Sequence, residues 1–93
     1  MEFEWDPAKA RANVRKHGVA FADAMTVFDD PAACLRWDEA HESPVEERGK
    51  IIGFSKRNHL LAVIFTERHE TIRIISAWKA SAAEETAYTE AFR

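Results

Sequence analysis

A chain of 93 residues that is 46% hydrophobic, 31% charged and formally -3 at pH 7 has apolar material for one core and too little length for two ordinary domains, so a single domain over 1–93 is expected. Its longest apolar run, LLAVIF from Leu60 to Phe65, is far shorter than a bilayer requires, and the acidic opening MEFEWDPAKA lacks the basic and apolar regions of a secretory signal; a cytoplasmic protein with no membrane partner is expected. The net negative charge argues against a protein that coats itself with nucleic acid, whose nonspecific affinity comes from clustered Lys and Arg.

Phe3-Glu4-Trp5 alternates apolar and polar side chains as a half-buried strand does. Asp6 then supplies an N-cap carboxylate and Pro7 a first-turn φ, so a helix is expected from Pro7 to about His17, stopped by Gly18. Between Lys9 and Lys16 that helix holds four bases and no acid, a basic side on an acidic molecule. Phe21, Ala24, Met25 and Phe28 recur at the spacing of one helical face and predict a second helix over Phe21–Phe28, ended by Asp29-Asp30-Pro31. The period then changes to two. Strands are expected at Ala33–Trp37, Arg48–Ser55, Leu60–Arg68 and Thr71–Trp78, the last three joined by links short enough for hairpins, KRNH and HE. Cys34 lies in the first of these among apolar neighbours; as the single cysteine it has no internal disulfide partner, and it reads as a small buried side chain. Between Trp37 and Arg48, DEAHESPVEE carries five acids and no Lys or Arg and reads as an exposed loop. Ser81-Ala82-Ala83-Glu84 is a capping box that announces a final helix, with Ala83, Ala87, Tyr88, Ala91 and Phe92 as its apolar side.

The order β-α-α-β-β-β-β-α gives an α+β class: two N-terminal helices and one C-terminal helix covering one face of a mostly antiparallel sheet. In the last strand, a period of two assigns Ile72, Ile74, Ser76 and Trp78 to the helix-covered face. Arg73, Ile75, Ala77 and Lys79 fall on the opposite face, with Arg73 and Lys79 roughly 20 Å apart. The four histidines, His17, His41, His59 and His69, show no metal-ligand spacing, and no Gly-rich phosphate loop is present, so neither a metal site nor a cofactor is expected.

The stretch FEWDPAKARANVRKHGVAFADAMTVFDDP, with its W-D-P-x-K opening, K-H-G turn, phenylalanine-led second helix and closing D-D-P, resembles the N-terminal half of the BrnT family of bacterial toxins. GKIIGFSKRNHLLAVIFTERHETIRIISAWKAS, followed by a helix bearing Glu and Tyr, resembles that family's second half, and the two stretches run in order along nearly the whole chain. The resemblance implies a RelE-like fold and a type II toxin that cleaves RNA to block translation. It also implies a BrnA-like antitoxin that neutralises the toxin and carries the DNA-binding domain, so that operator DNA is reached only indirectly. One position departs from the pattern: where many members read S-A-R-K/R-A, this chain has Ser76-Ala77-Trp78-Lys79-Ala80, an indole in place of a guanidinium. The alternative reading is a toxin-like subunit with weak or no catalysis that binds its antitoxin and tunes repression of their operon.

Metal-independent RNA cleavage needs a base for the 2′-OH proton, positive charge for the phosphorane, and an acid or cation for the leaving 5′-oxygen. His17 and Glu67 are the base candidates; Arg68, Arg73, Lys79 and Arg48 are the candidates for charge. Glu67 and Arg68 face opposite sides of their strand, so only one points into a site on the sheet face, and the sequence leaves open which. Lys9, Lys16, Arg48, Lys50 and Trp78 are the candidate RNA contacts, the cations for phosphates and the indole for a base. Each has a structural alternative: His17 against the helix dipole, Arg73 paired across the sheet with an acid such as Glu67, the bases of the first helix as a solvated surface, Trp78 and Tyr88 as packing. An antitoxin with acidic side chains over the basic face is expected to exclude RNA and relieve repulsion among the cations.

Overall fold

A computed structural model of the chain describes residues 1–37 and 48–91; the acidic segment 38–47, expected to be an exposed loop, and Phe92 lie outside them. The described elements are β1 (Glu2–Glu4), α1 (Pro7–His17), α2 (Phe21–Ala24) running into a 3-10 turn (Met25–Asp29), β2 (Cys34–Trp37), β3 (Arg48–Phe54), β4 (Leu60–Arg68), β5 (Thr71–Lys79) and α3 (Ala82–Glu90). They form a five-stranded sheet in the order β1-β5-β4-β3-β2, antiparallel throughout except that β1 lies parallel to β5. The expected α+β class and element order hold. None of the described helices is long and apolar enough to cross a membrane.

Local chemistry explains the boundaries. Asp6 Oδ1 accepts the Ala8 N–H at 2.8 Å to open α1, and Gly18, at φ 70, ends it by donating its N–H to the Val14 carbonyl. The second helix is α-helical only to Ala24 and then tightens. There Thr26 Oγ1 donates to the Asp23 carbonyl at 2.7 Å, a local bond that competes with regular helical pairing. The HE link is a two-residue hairpin turn with both residues at positive φ, 50 for His69 and 68 for Glu70.

The helices do not share one face, as the sequence suggested; they divide between two. On one side Val19, Phe21, Ala24 and Val27 bury against Ile51, Leu61, Val63, Phe65, Ile72, Ile74 and Ala77. On the other, α3 sets Tyr88 and Ala87 over Ile52, Ala62 and Trp78. The apolar side expected for α3 is corrected accordingly: Ala83 and Ala91 are exposed, whereas Glu84 is buried beside Tyr88 because its carboxylate finds partners there.

A bulge in β5 decides which residues meet. Ile64 opposes Ser76 but Phe65 opposes Ile74, leaving Ile75 as the extra residue. One added residue reverses the alternation beyond it. Ile72 and Ile74 are therefore followed on the α1 side by Ala77 and Lys79, while Arg73, Ser76 and Trp78 share the α3 side. The expectation that Arg73 and Lys79 stand on one face is overturned.

Side chains finish both sheet margins. β1 covers only Thr71–Arg73 of β5, and further along Asn13 acts as a substitute strand: its amide donates to the Ala77 and Val19 carbonyls, both at 2.9 Å, and accepts the Ala77 N–H at 3.1 Å. At the end of β3, Asp30 Oδ2 accepts the Phe54 N–H and the Tyr88 hydroxyl, each at 2.8 Å, and Oδ1 accepts the Ala32 N–H. This carboxylate ties the 3-10 turn to α3. Burial opposes its ionisation, but the three donors outweigh burial and hold it below its ordinary value of 3.8. Burial, together with the bond to Asp30, pushes the Tyr88 hydroxyl up to about 12.

These shifts set a pH dependence with a definite sign. Asp30 releases its proton more readily when folded, so its contribution is complete above 3.8 and is lost as pH falls through the lowered value. Tyr88 holds its proton more tightly when folded, so its contribution is complete below its ordinary 10.0 and is lost as pH rises toward about 12. Urea midpoints measured against pH are expected to fall at both ends, with Asp30→Asn flattening the acid limb and Tyr88→Phe the alkaline one.

Gly49 is required by close approach. A Cβ there would lie 2.6 Å from Phe65 Cζ, and that ring is held edge-on by Phe28 and Trp37 at centroid distances of 5.0 and 5.6 Å. Gly49→Ala is expected to lower unfolding free energy by about 1–3 kcal/mol, the usual cost of overpacking, read from urea denaturation.

Candidate functional site

The last turn of α1 meets β5 where β1 no longer covers the strand edge. There Lys16, His17, Ser76, Trp78 and Lys79 line an open depression of about 700 Å³. His17 lies one helical turn beyond Asn13 and on its face, so the amide that bonds Ala77 also sets the imidazole beside the strand. Its ring centroid is 6.1 Å from that of Trp78, tilted by 46°. Lys79 comes from the α1 side of β5 and Ser76 and Trp78 from the α3 side. The depression thus straddles the strand edge, which is how residues of opposite faces come to share it.

Trp78 is fixed from below by Glu84, whose Oε1 accepts the indole N–H at 2.9 Å and the Ser81 N–H at 2.8 Å. Glu84 Oε2 meets Lys50 Nζ at 2.6 Å, and the same ammonium lies 5.9 Å from the centre of the Trp78 ring. Burial opposes ionisation of Glu84, but Lys50 first, then the Ser81 and Trp78 N–H donors, outweigh it and hold the carboxyl below its ordinary 4.5. A carboxylate so bonded is a weak proton acceptor and a firm orienting group. The capping box did mark Glu84, but only as a helix start. The signal for more was Trp78 itself, since a part-buried indole N–H calls for an acceptor and Glu84 is the first acid after it.

The other candidates lie apart. Glu4, Thr66, Arg68, Thr71 and Arg73 line a second depression, of about 230 Å³, toward the far end of the α3-side face. Arg73 Nη1 is 3.6 Å from Glu4 Oε1, both half exposed. The acid that Arg73 meets is therefore Glu4 rather than Glu67, because its neighbour on β4 is Thr66. Arg68 shares this depression while Glu67 opposes Ile72 on the α1 side, which answers the question parity left open. Arg48 opposes Thr66 and so stands in the row of Arg73; Lys50 opposes Ile64 in the row of Ser76. Lys9 is exposed in the first turn of α1, roughly 12 Å along the axis from His17. Among the described residues, no three His, Cys, Asp or Glu side chains are grouped to hold a metal ion.

In sum of chemistry, the first depression brings an imidazole, two ammonium groups, a hydroxyl and an oriented indole to one open surface. Such a set exchanges protons and neutralises anionic charge. The model of a family described as the ribonuclease toxin BrnT of type II toxin-antitoxin systems matches residues 5–84. The crystal structure of the Brucella abortus ribonuclease toxin BrnT is similar, with a TM-score of 0.67 at 30% identity over 87% of this chain and 97% of that one. No curated protein matches the chain. The matched span includes every residue of the first depression and the Lys50 and Glu84 that support it. The chain belongs to the BrnT family of ribonuclease toxins of type II toxin-antitoxin systems.

Proposed function

We propose that this chain is the catalytic toxin, a metal-independent endoribonuclease of the cytoplasm that cleaves RNA and thereby stops translation. A BrnA-like antitoxin neutralises it, and operator DNA is reached only through that antitoxin. The observation that carries this reading is the convergence of His17, Lys16 and Lys79 around Trp78 at an open surface.

In the proposed reaction His17 takes the proton of a ribose 2′-OH, whose oxygen attacks the adjacent phosphorus. Lys16 and Lys79 neutralise the phosphorane, and an ammonium returns a proton to the departing 5′-oxygen. The products are a 2′,3′-cyclic phosphate and a 5′-hydroxyl. Trp78, held by Glu84, offers a stacking surface for a base beside the scissile bond.

A second reading, a binding subunit with weak or no catalysis, draws support from one contact. Glu84 already engages both the Trp78 indole N–H and the Lys50 ammonium, so neither is open to a phosphate while Glu84 holds it. Induced expression of the chain alone separates the two. The nuclease reading expects growth arrest with fragmentation of total RNA, relieved by Lys79→Ala and by co-expressed antitoxin. Normal growth and intact RNA from well-folded protein would favour the binding subunit, and Trp78→Arg is then the variant expected to restore cleavage.

A further inference from the structure

We infer that the depression lined by Glu4, Thr66, Arg68, Thr71 and Arg73, with Arg48 beside it, is a phosphate-binding subsite for single-stranded RNA, separate from the His17 depression and reached by the same strand. The inference deepens the proposed ribonuclease reading and rests on its choice of RNA as ligand.

The bulge in β5 creates the separation. Because Ile75 is the extra residue, Arg73 shares a face with Ser76 and Trp78 rather than with Lys79. The row of Arg73 and the row of Trp78 are then two pleat repeats apart, roughly 13 Å along one face. Too distant for Arg73 to touch a phosphate reacting at His17, this spacing still lies within reach of a neighbouring stretch of the same RNA backbone.

The side chains at the second depression have the chemistry of a phosphate seat. Arg73 and Arg68 are guanidinium groups, whose planar fork matches two phosphate oxygens, and Thr66 and Thr71 add hydroxyls of the kind that bond backbone phosphates. Arg48, in the same cross-strand row as Arg73, stands two strands away, about 10 Å at the usual strand spacing. Between this row and Trp78 lies the row that carries Ser76 and Lys50, the latter held by Glu84. Glu4 brings an anionic group to the seat, with its carboxylate oxygen 3.6 Å from Arg73. Both partners are half exposed, where such a pair contributes little, so a phosphate displaces Glu4 at small cost.

The test combines binding and cleavage. A fluorescent single-stranded RNA of about twelve nucleotides, 2′-O-methylated so that it cannot be cut, is titrated against wild type, Arg73→Ala and Glu4→Gln at several salt concentrations. Arg73→Ala is expected to weaken binding roughly five- to tenfold and to reduce the slope of log affinity against log salt by about 0.7, the share of one phosphate contact on a single strand. Glu4→Gln, which leaves Arg73 without its carboxylate, is expected to tighten binding two- to threefold. Arg73→Ala is expected to lower cleavage of the unmodified long RNA more than that of an unmodified dinucleotide, which is too short to span both depressions.

Unchanged affinity and salt slope in both variants would reduce Arg73 and Glu4 to a surface ion pair and overturn the inference. Equal losses on the dinucleotide and the long RNA would make Arg73 part of the catalytic centre and overturn it as well. Should wild type cut neither substrate while the binding changes appear as expected, the nuclease reading fails and the subsite stands.

Discussion

Replacing His17 with alanine is expected to lower kcat for RNA cleavage by roughly a hundred- to ten-thousand-fold, the usual contribution of a positioned acid-base group. The fold should survive the change. His17 is the half-buried last residue of α1, and its ring lies outside both core clusters. His59 is the matched control. Its Nδ1 lies 2.9 Å from Asp23 Oδ2, where it ties the β3-β4 hairpin to α2, far along the chain from the depression at His17. His59→Ala is expected to lower the melting temperature and spare kcat per folded molecule. An equal effect of the two substitutions on kcat would remove His17 from the chemistry.

Glu84→Ala is the substitution expected to cost most in stability. It takes the acceptor from the Ser81 N–H and from the Trp78 indole N–H and abandons the Lys50 ammonium. Breaking a fully buried pair costs about 3–5 kcal/mol. Lys50 is 33% exposed and recovers part of its hydration, so about 2–3 kcal/mol is expected, read from urea unfolding. The origin of the loss has a signature. Adding Lys50→Met to Glu84→Ala should recover part of the stability, because the stranded charge is removed with its partner. Strict additivity of the two substitutions would mean that Lys50 and Glu84 are not energetically coupled. The same variant frees the indole to leave its position beside His17, so cleavage per folded molecule should fall too.

Most of the architecture was legible because its signals are local. Asp6-Pro7 and Gly18 bracket α1, the Ser81-Glu84 box opens α3, and alternating apolar residues mark β3 to β5 within a residue or two of their ends. What escaped was long-range. Nothing near Ile75 distinguishes a bulged strand from a regular one, since the extra residue is demanded by pairing with β4 rather than by β5 itself. That single residue moved Trp78 and Ser76 to the face of Arg73 and sent Lys79 to the other. Partners set by tertiary contact were equally hidden. Arg73 meets Glu4 because β1 lies parallel beside β5, and Asp30 meets Tyr88 across 58 positions of sequence. Of the site candidates, the structure gathers His17, Lys16, Trp78 and Lys79, joins Lys50 to them through Glu84, and leaves Glu67, Arg68, Arg73, Arg48 and Lys9 outside that depression.

The central claim is that the residues around His17 cut RNA without a metal ion. Purified chain is incubated with a defined single-stranded RNA in excess EDTA, and the new 3′ ends are identified by mass spectrometry. The account predicts cleavage that EDTA does not slow, leaving 2′,3′-cyclic phosphate ends. Cleavage that stops in EDTA and returns with added magnesium, or products ending in a 3′-hydroxyl, would contradict it.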